Sequence, residues 1–122
     1  MPVSGLDHIN IRTLDVAESV RFYVELFDFE YRQGAGMMGQ KSNWLFDTSG
    51  NPIIHFRVLE TDSRSTGPLD HVALRCHGKA ETLERLKAKG VEHHVANLVP
   101  GLTQVFLKDP HGVSLELNFS GE

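Results

Sequence analysis

The chain has a single cysteine, Cys76, so neither an intrachain disulfide nor a four-cysteine zinc site can form. Positive charge is also scarce. Twelve Lys and Arg face sixteen Asp and Glu, for a net charge of −4. No basic stripe is present to neutralise phosphates, which argues against nucleic acid as a partner. No apolar run approaches the ~18 residues of a membrane span. The opening residues, Met1 to His8, lack the basic and apolar regions of a signal peptide. These absences lead to an expectation of a cytoplasmic protein that engages neither membrane nor nucleic acid. What remains is ordinary: 40% hydrophobic and 23% charged residues over 122 positions, enough for one domain with a real core.

The chain repeats itself. Leu6-Asp7-His8-Ile9-Asn10-Ile11-Arg12 returns as Leu69-Asp70-His71-Val72-Ala73-Leu74-Arg75, with Leu, Asp, His and Arg kept. His8 and His71 are 63 positions apart (71 − 8), about half the chain. Both copies alternate polar and apolar residues as half-buried strands do. Two copies are too few for a solenoid, so the reading is two modules in one domain: module one at 1–61, a linker at 62–68 and module two at 69–122.

The segments after these two strands match as well. Thr13 or Asp15 can cap a helix whose apolar face is Val16, Val20, Tyr23, Val24 and Phe27. Ala80, Leu83 and Leu86 have helical spacing in the second copy, and Gly90 suits the position after the helix end. Strands are then expected at 29–33, 44–47 and 53–59, with a Gly- and Met-rich stretch from Gly34 to Gly39 as a flexible lip. Module two has counterparts at 91–95, 103–108 and 113–119. Asp109-Pro110-His111-Gly112 reads as a type I turn, with Ser49-Gly50-Asn51-Pro52 as its looser counterpart. The predicted fold is α+β, βαβββ twice.

The repeat also pairs His55 with Glu116, 61 positions apart (116 − 55), a difference of two that one small loop change explains. The first strand of each module thus offers a His, and the last offers His or Glu, all in otherwise apolar segments. One His in a strand is more often a hydrogen-bonded structural residue. Four polar groups at repeat-related positions are harder to explain that way, because burying them unpaired is costly. A divalent cation is the simplest compensation, and two His plus one carboxylate with open positions suits Fe(II). His77, His93, His94 and His111 carry less weight, and Cys76 reads as a small buried residue.

These residues resemble the vicinal oxygen chelate superfamily, which includes glyoxalase I, extradiol dioxygenases, methylmalonyl-CoA epimerase, fosfomycin-resistance transferases and bleomycin-resistance proteins. The markers are Leu6-Asp7-His8, Ser19-Val20-Arg21-Phe22-Tyr23, Leu69-Asp70-His71-Val72 and the run from Lys108 to Leu117. The resemblance implies a cup-shaped mixed sheet from two βαβββ modules around a metal site. It implies one divalent ion per site, Fe2+ first and Mn2+, Ni2+ or Zn2+ as alternatives, held by His8, His71 and Glu116. It also implies a small-molecule substrate and a homodimer whose ligands come from one subunit or from both.

His55 separates the reactions that the resemblance allows. As a fourth ligand it leaves an octahedral ion two open positions, which suits glyoxalase- or epimerase-like isomerase or lyase chemistry with Glu116 as base. Outside the coordination shell it leaves room for a bidentate substrate and O2, and serves as a proton carrier. A His at this position favours the second case, a ring- or C–C-cleaving extradiol-type dioxygenase with His55 and Glu116 as catalytic groups. Two departures weigh against it: Phe106 stands where that family has Tyr, and Asn97-Leu98-Val99 where it has a His. A non-catalytic binder of an antibiotic or metabolite is the third reading. Strand alternation puts Asn10 and Arg12 on the His8 face, Arg75 on the His71 face, and Ser114 and Asn118 with Glu116. Asn10, Arg12, Arg75 and Phe106 are therefore the expected substrate contacts, and Arg12 matches an Arg that binds an anionic group in glyoxalase I. Trp44, Phe46, Phe56 and Phe106 are candidate pocket walls, with core packing the commoner role for each of them.

Overall fold

Alternating residues around His8 and His71 form strands in both places. The computed structural model describes residues 2–35, 41–59 and 67–122. The chain divides into two compact units, Met1–Asp62 and Ser63–Glu122. The first runs β1 (Ile9–Thr13), α1 (Val16–Phe27), β2 (Glu30–Ala35), β3 (Lys41–Phe46) and β4 (Pro52–Val58). The second runs β5 (Val72–Cys76), α2 (Lys79–Ala88), β6 (His93–Val99), β7 (Leu102–Lys108) and β8 (Ser114–Ser120). This is the expected α+β pattern, βαβββ in each half. Each half holds one four-stranded mixed sheet, ordered β1-β4-β3-β2 and β5-β8-β7-β6. The first and last strands pair in parallel, and the other neighbours are antiparallel. The lip expected over Gly34–Gly39 falls, from residue 36 on, outside the described residues, as does most of the expected linker.

Helix α1 differs from its sequence reading. The face it buries is Ser19, Tyr23 and Leu26, while Val16, Val20, Val24 and Phe27 are half-buried beside it. A hydroxyl pair permits this rotation. Thr13 on β1 and Ser19 on α1 are fully buried and hydrogen-bond each other at 2.7 Å, so burying both leaves no polar atom without a partner. Tyr23 then packs against Phe22, Phe27, Phe29 and Phe56 with ring centroids 5.3 to 6.1 Å apart. The second core is mainly aliphatic: Leu86 with Val105, Leu107, Leu115, Leu117 and Phe119.

The helix ends are closed in different ways. The Asp15 carboxylate caps α1 by accepting from the Glu18 backbone N–H at 3.1 Å. Gly78 begins α2 at φ +80° with no side chain to cap it, and the Glu122 carboxylate accepts from the Gly78 and Lys79 N–H groups instead. Gly90, at φ +66°, comes after the end of α2 as expected, and its N–H reaches the Lys87 carbonyl at 3.1 Å.

The turns correct one correspondence. In Asp109–Val113 the Asp109 carboxylate accepts from the His111 and Val113 N–H groups, both at 2.9 Å. The matching loop begins at Asp47, whose carboxylate accepts from the Ser49 and Asn51 N–H groups at 3.0 and 2.9 Å. The counterpart of Asp109–Gly112 is therefore Asp47–Gly50, two residues before the expected segment, because an Asp side chain organises both turns. A β-bulge comes next. Leu45 pairs with Ile54 but Phe46 with Pro52, which leaves Ile53 as an extra residue. The bulge makes His55 lie eight residues after Asp47 (55 − 47) where Glu116 lies seven after Asp109 (116 − 109), which accounts for one of the two residues by which the repeat offsets differ. Without it, a one-residue slip would turn His55 to the opposite face of the sheet.

Candidate functional site

In both sheets the face away from the buried core carries the polar chemistry. Ile11, Thr13, Ile54 and Phe56 point into the first core, so Asn10, Arg12, His55 and Arg57 share the other face. Cross-strand register lines up Asn10, His55, Trp44 and Arg32 across β1, β4, β3 and β2. The same register in the second half lines up Ala73, Glu116, Phe106 and His94.

Four side chains come together in the first half. The Trp44 indole stacks on the His55 ring, centroids 4.4 Å apart and planes 6° apart. It meets the His8 ring edge-on at 4.9 Å. Asn10 Nδ2 lies 3.0 Å from His55 Nδ1. Burial, with the nearby His8 and Arg57 charges, pushes the His55 pKa below its ordinary value.

The second half joins a His to a carboxylate. His71 Nε2 lies 3.7 Å from Glu116 Oε1, and Asn118 Nδ2 donates to Glu116 Oε2 at 2.8 Å. The His71 pKa is raised, first by its hydrogen bond to Asp70, against the opposing effect of burial, and then by the Glu116 and Asp70 charges. Phe106 is half-buried beside Glu116, and His94 stacks over it at 6.4 Å.

Two groups missed by the sequence reading stand behind the first-strand histidines. Asp7 Oδ1 is 2.7 Å from His8 Nδ1, and Asp70 Oδ2 is 2.8 Å from His71 Nδ1. A carboxylate there holds the proton on Nδ1 and leaves the Nε2 lone pair free, the usual arrangement behind a metal-bound imidazole. Nε2 of His8 in the first half, and Nε2 of His71 and the Glu116 carboxylate in the second, are each donors of a kind that divalent cations accept. The Asp-His repeat itself was the available signal. Arg57 was also missed. It pairs in register with Arg12, and both are exposed on one face. Arg75, likewise exposed, lies opposite Asn118.

Burial departs from the sequence expectation at two of the four polar groups. Glu116 is largely buried, its side chain 14% exposed, but His8 and His71 are 38% and 43% exposed. Both precede their strands by one residue, so the cost of desolvation bears mainly on Glu116 and His55. Among the described residues, His8 stands with His55 and His71 with Glu116, and no group of three or more potential metal ligands is found. No described helix is long and apolar enough to cross a membrane.

Known proteins resemble this chain over nearly its whole length. The model of the Glyoxalase/Bleomycin resistance protein/Dioxygenase superfamily matches residues 5–117. No curated protein matches the sequence. Among solved structures, a glyoxylase/bleomycin resistance protein/dioxygenase domain from Frankia sp. EAN1pec superposes with a TM-score of 0.76 at 19% identity, covering 98% of this chain and 99% of that one. A glyoxalase family protein from Bacillus anthracis gives 0.75 at 19% identity, covering 98% of each chain. A mutant of the fosfomycin resistance protein FosX from Listeria monocytogenes, complexed with Mn(II) and 1S,2S-dihydroxypropylphosphonic acid, gives 0.72 at 22% identity, covering 99% of this chain and 94% of that one.

Proposed function

Because the chain belongs to the Glyoxalase/Bleomycin resistance protein/Dioxygenase superfamily, we propose that it is a divalent-metal-dependent enzyme acting on a small, oxygen-chelating substrate. Its ligands are His8, His71 and Glu116, its two modules act as one domain, and the working form is a homodimer. The reaction class is that of an extradiol-type dioxygenase, with Fe2+ as the first choice of ion. The observation that carries this reading is the carboxylate behind each first-strand imidazole, Asp7 at 2.7 Å from His8 and Asp70 at 2.8 Å from His71. A side chain with no ligand role has no need of a fixed Nδ1 proton twice over. When bound, the ion supplies Lewis acidity where negative charge develops on substrate oxygen.

The remaining work falls to the chain's own groups. His55 presents its outward ring edge to the substrate as a hydrogen-bonding group. Arg12, with Arg57 beside it, holds an anionic substrate group, and Arg75 supplies a further cation. Trp44 and Phe106 present flat apolar faces, and Asn10 and Asn118 hold the polar groups next to them.

A second reading is favoured by the Arg12–Arg57 pair. Two adjacent cations suit a substrate that is an anion away from its chelating oxygens, as in glyoxalase- or epimerase-like isomerase or lyase chemistry with Glu116 as base. The dihydroxypropylphosphonic acid held by the FosX relative is an anion of that general kind.

Metal analysis of the purified protein, with thermal unfolding measured before and after EDTA, tests the proposal. About one Fe, Mn, Ni or Zn per chain is expected, with a lower Tm after chelation. Oxygen uptake with catechols under Fe(II) then identifies the dioxygenase, and turnover of methylglyoxal–thiol hemithioacetal under Ni(II) or Zn(II) the isomerase. A chain that binds no metal and does not respond to EDTA is a binding protein, and the proposal fails.

A further inference from the structure

The three imidazoles differ in what stands behind Nδ1. His8 and His71 each face a carboxylate, which can only accept. His55 faces the Asn10 amide nitrogen at 3.0 Å, which can only donate. A neutral imidazole has one N–H and one lone pair. If Nδ1 of His55 accepts from Asn10, its proton is on Nε2. If Nδ1 of His8 or His71 donates to Asp, the lone pair is on Nε2. These contacts favour opposite tautomers for the neutral rings, Nδ1–H at His8 and His71 and Nε2–H at His55.

Resting on the metal site proposed above, we propose that Asn10 is a positioning residue that locks His55 as the Nε2–H tautomer. This makes the outward edge of the ring a hydrogen-bond donor to substrate and keeps it out of the metal's coordination shell. Three features of the fold fix the arrangement. Asn10 and His55 are direct neighbours across the parallel β1–β4 pair. The bulge at Ile53 turns His55 onto the Asn10 face. The Trp44 indole, stacked within 6° of parallel, resists rotation of the ring out of the plane in which Nδ1 meets the amide. The equivalent strand position in the second half has no such amide, since Ala73 faces Glu116 there. Asn118 donates to that carboxylate from its own strand and leaves Oε1 toward His71. A His at 55 is thus compatible with a three-ligand site because its lone pair is already occupied.

The test reads the tautomer directly. Long-range ¹H–¹⁵N NMR of the metal-free protein should show His55 protonated on Nε2, and His8 and His71 on Nδ1. Asn10→Asp reverses the partner from donor to acceptor, and should move His55 to the Nδ1–H form. The freed Nε2 lone pair should then tighten divalent-metal binding by about tenfold, the lower end of what a group behind a ligand contributes. Adding His55→Ala to Asn10→Asp should abolish that gain, which separates recruitment of His55 from direct binding by the new carboxylate. His55 on Nδ1 in the wild type overturns the proposal without any variant, and so does an unchanged tautomer in a folded Asn10→Asp protein. Because the tautomer is read without metal, it is independent of whether His8, His71 and Glu116 bind an ion; failure of that ligand set shows separately, as metal affinity unchanged by His71→Ala.

Discussion

Across the site face of the first half run Asn10, His55 and Trp44, where the second half carries Ala73, Glu116 and Phe106. Apart from the bulge at Ile53, both halves share a parallel first-to-last strand pair, an Asp-organised turn before the last strand, and a His backed by Asp at the entrance to the first strand. The side chains differ. The first half sets its last-strand group as an imidazole between an amide and an indole. The second sets an anion beside an imidazole whose pKa that anion helps to raise. A duplicated frame with divergent side chains can present a carboxylate from one half and a hydrogen-bonding imidazole from the other.

The largest effects expected from probing this comparison are in the cores. Phe56 and Leu117 hold equivalent buried positions on β4 and β8, 2% and 0% exposed. Phe56→Ala should cost about 3–5 kcal/mol and Leu117→Ala about 2–5 kcal/mol in denaturant unfolding. A smaller loss for Phe56 than for Leu117 would mean that the ring cluster around Tyr23 contributes nothing beyond its bulk. Next come the carboxylates behind the histidines. Asp7→Asn and Asp70→Asn should each weaken divalent-metal binding by about 10- to 100-fold, read by isothermal titration with the fold unchanged. Loss in one variant only would break the symmetry between the halves.

The smallest effect is in the titrations of the metal-free protein. His71 should titrate above the ordinary 6.5 and His55 below it, as read by NMR. The signs for stability are opposite. The raised pKa of His71 contributes stability below pH 6.5 that is lost as pH rises through its folded pKa. The lowered pKa of His55 means that the unfolded chain takes up that proton first, so its contribution erodes as pH falls through 6.5 toward the folded value. Midpoints in the reverse order would refute the contrast between an anion-paired ring and a desolvated one.

Much of the fold was legible because duplication doubles every signal. A strand pattern around His8 is weak by itself, but its return around His71 places both modules. The face of α1 was misread because apolar periodicity ranks Val16 and Val20 above Ser19, and only the Thr13 hydroxyl opposite makes a buried serine favourable. The turn at Asp47 was missed because Ser49-Gly50-Asn51-Pro52 carries the stronger turn composition, while a carboxylate accepting two backbone N–H groups leaves no such mark. Asp7 and Asp70 mark the repeat, yet their role depends on side-chain directions that adjacency in sequence does not specify.

Residue identity and order alone determined the duplication, the α+β pattern and the identity of the four polar groups, because periodicity and spacing are properties of the chain. Tertiary structure alone decided which way those groups face and what each one touches. The bulge at Ile53 sets the face of His55, and the contacts at Nδ1 set which nitrogen of each imidazole is free. Both depend on cross-strand register and side-chain direction, which arise only when distant segments pair.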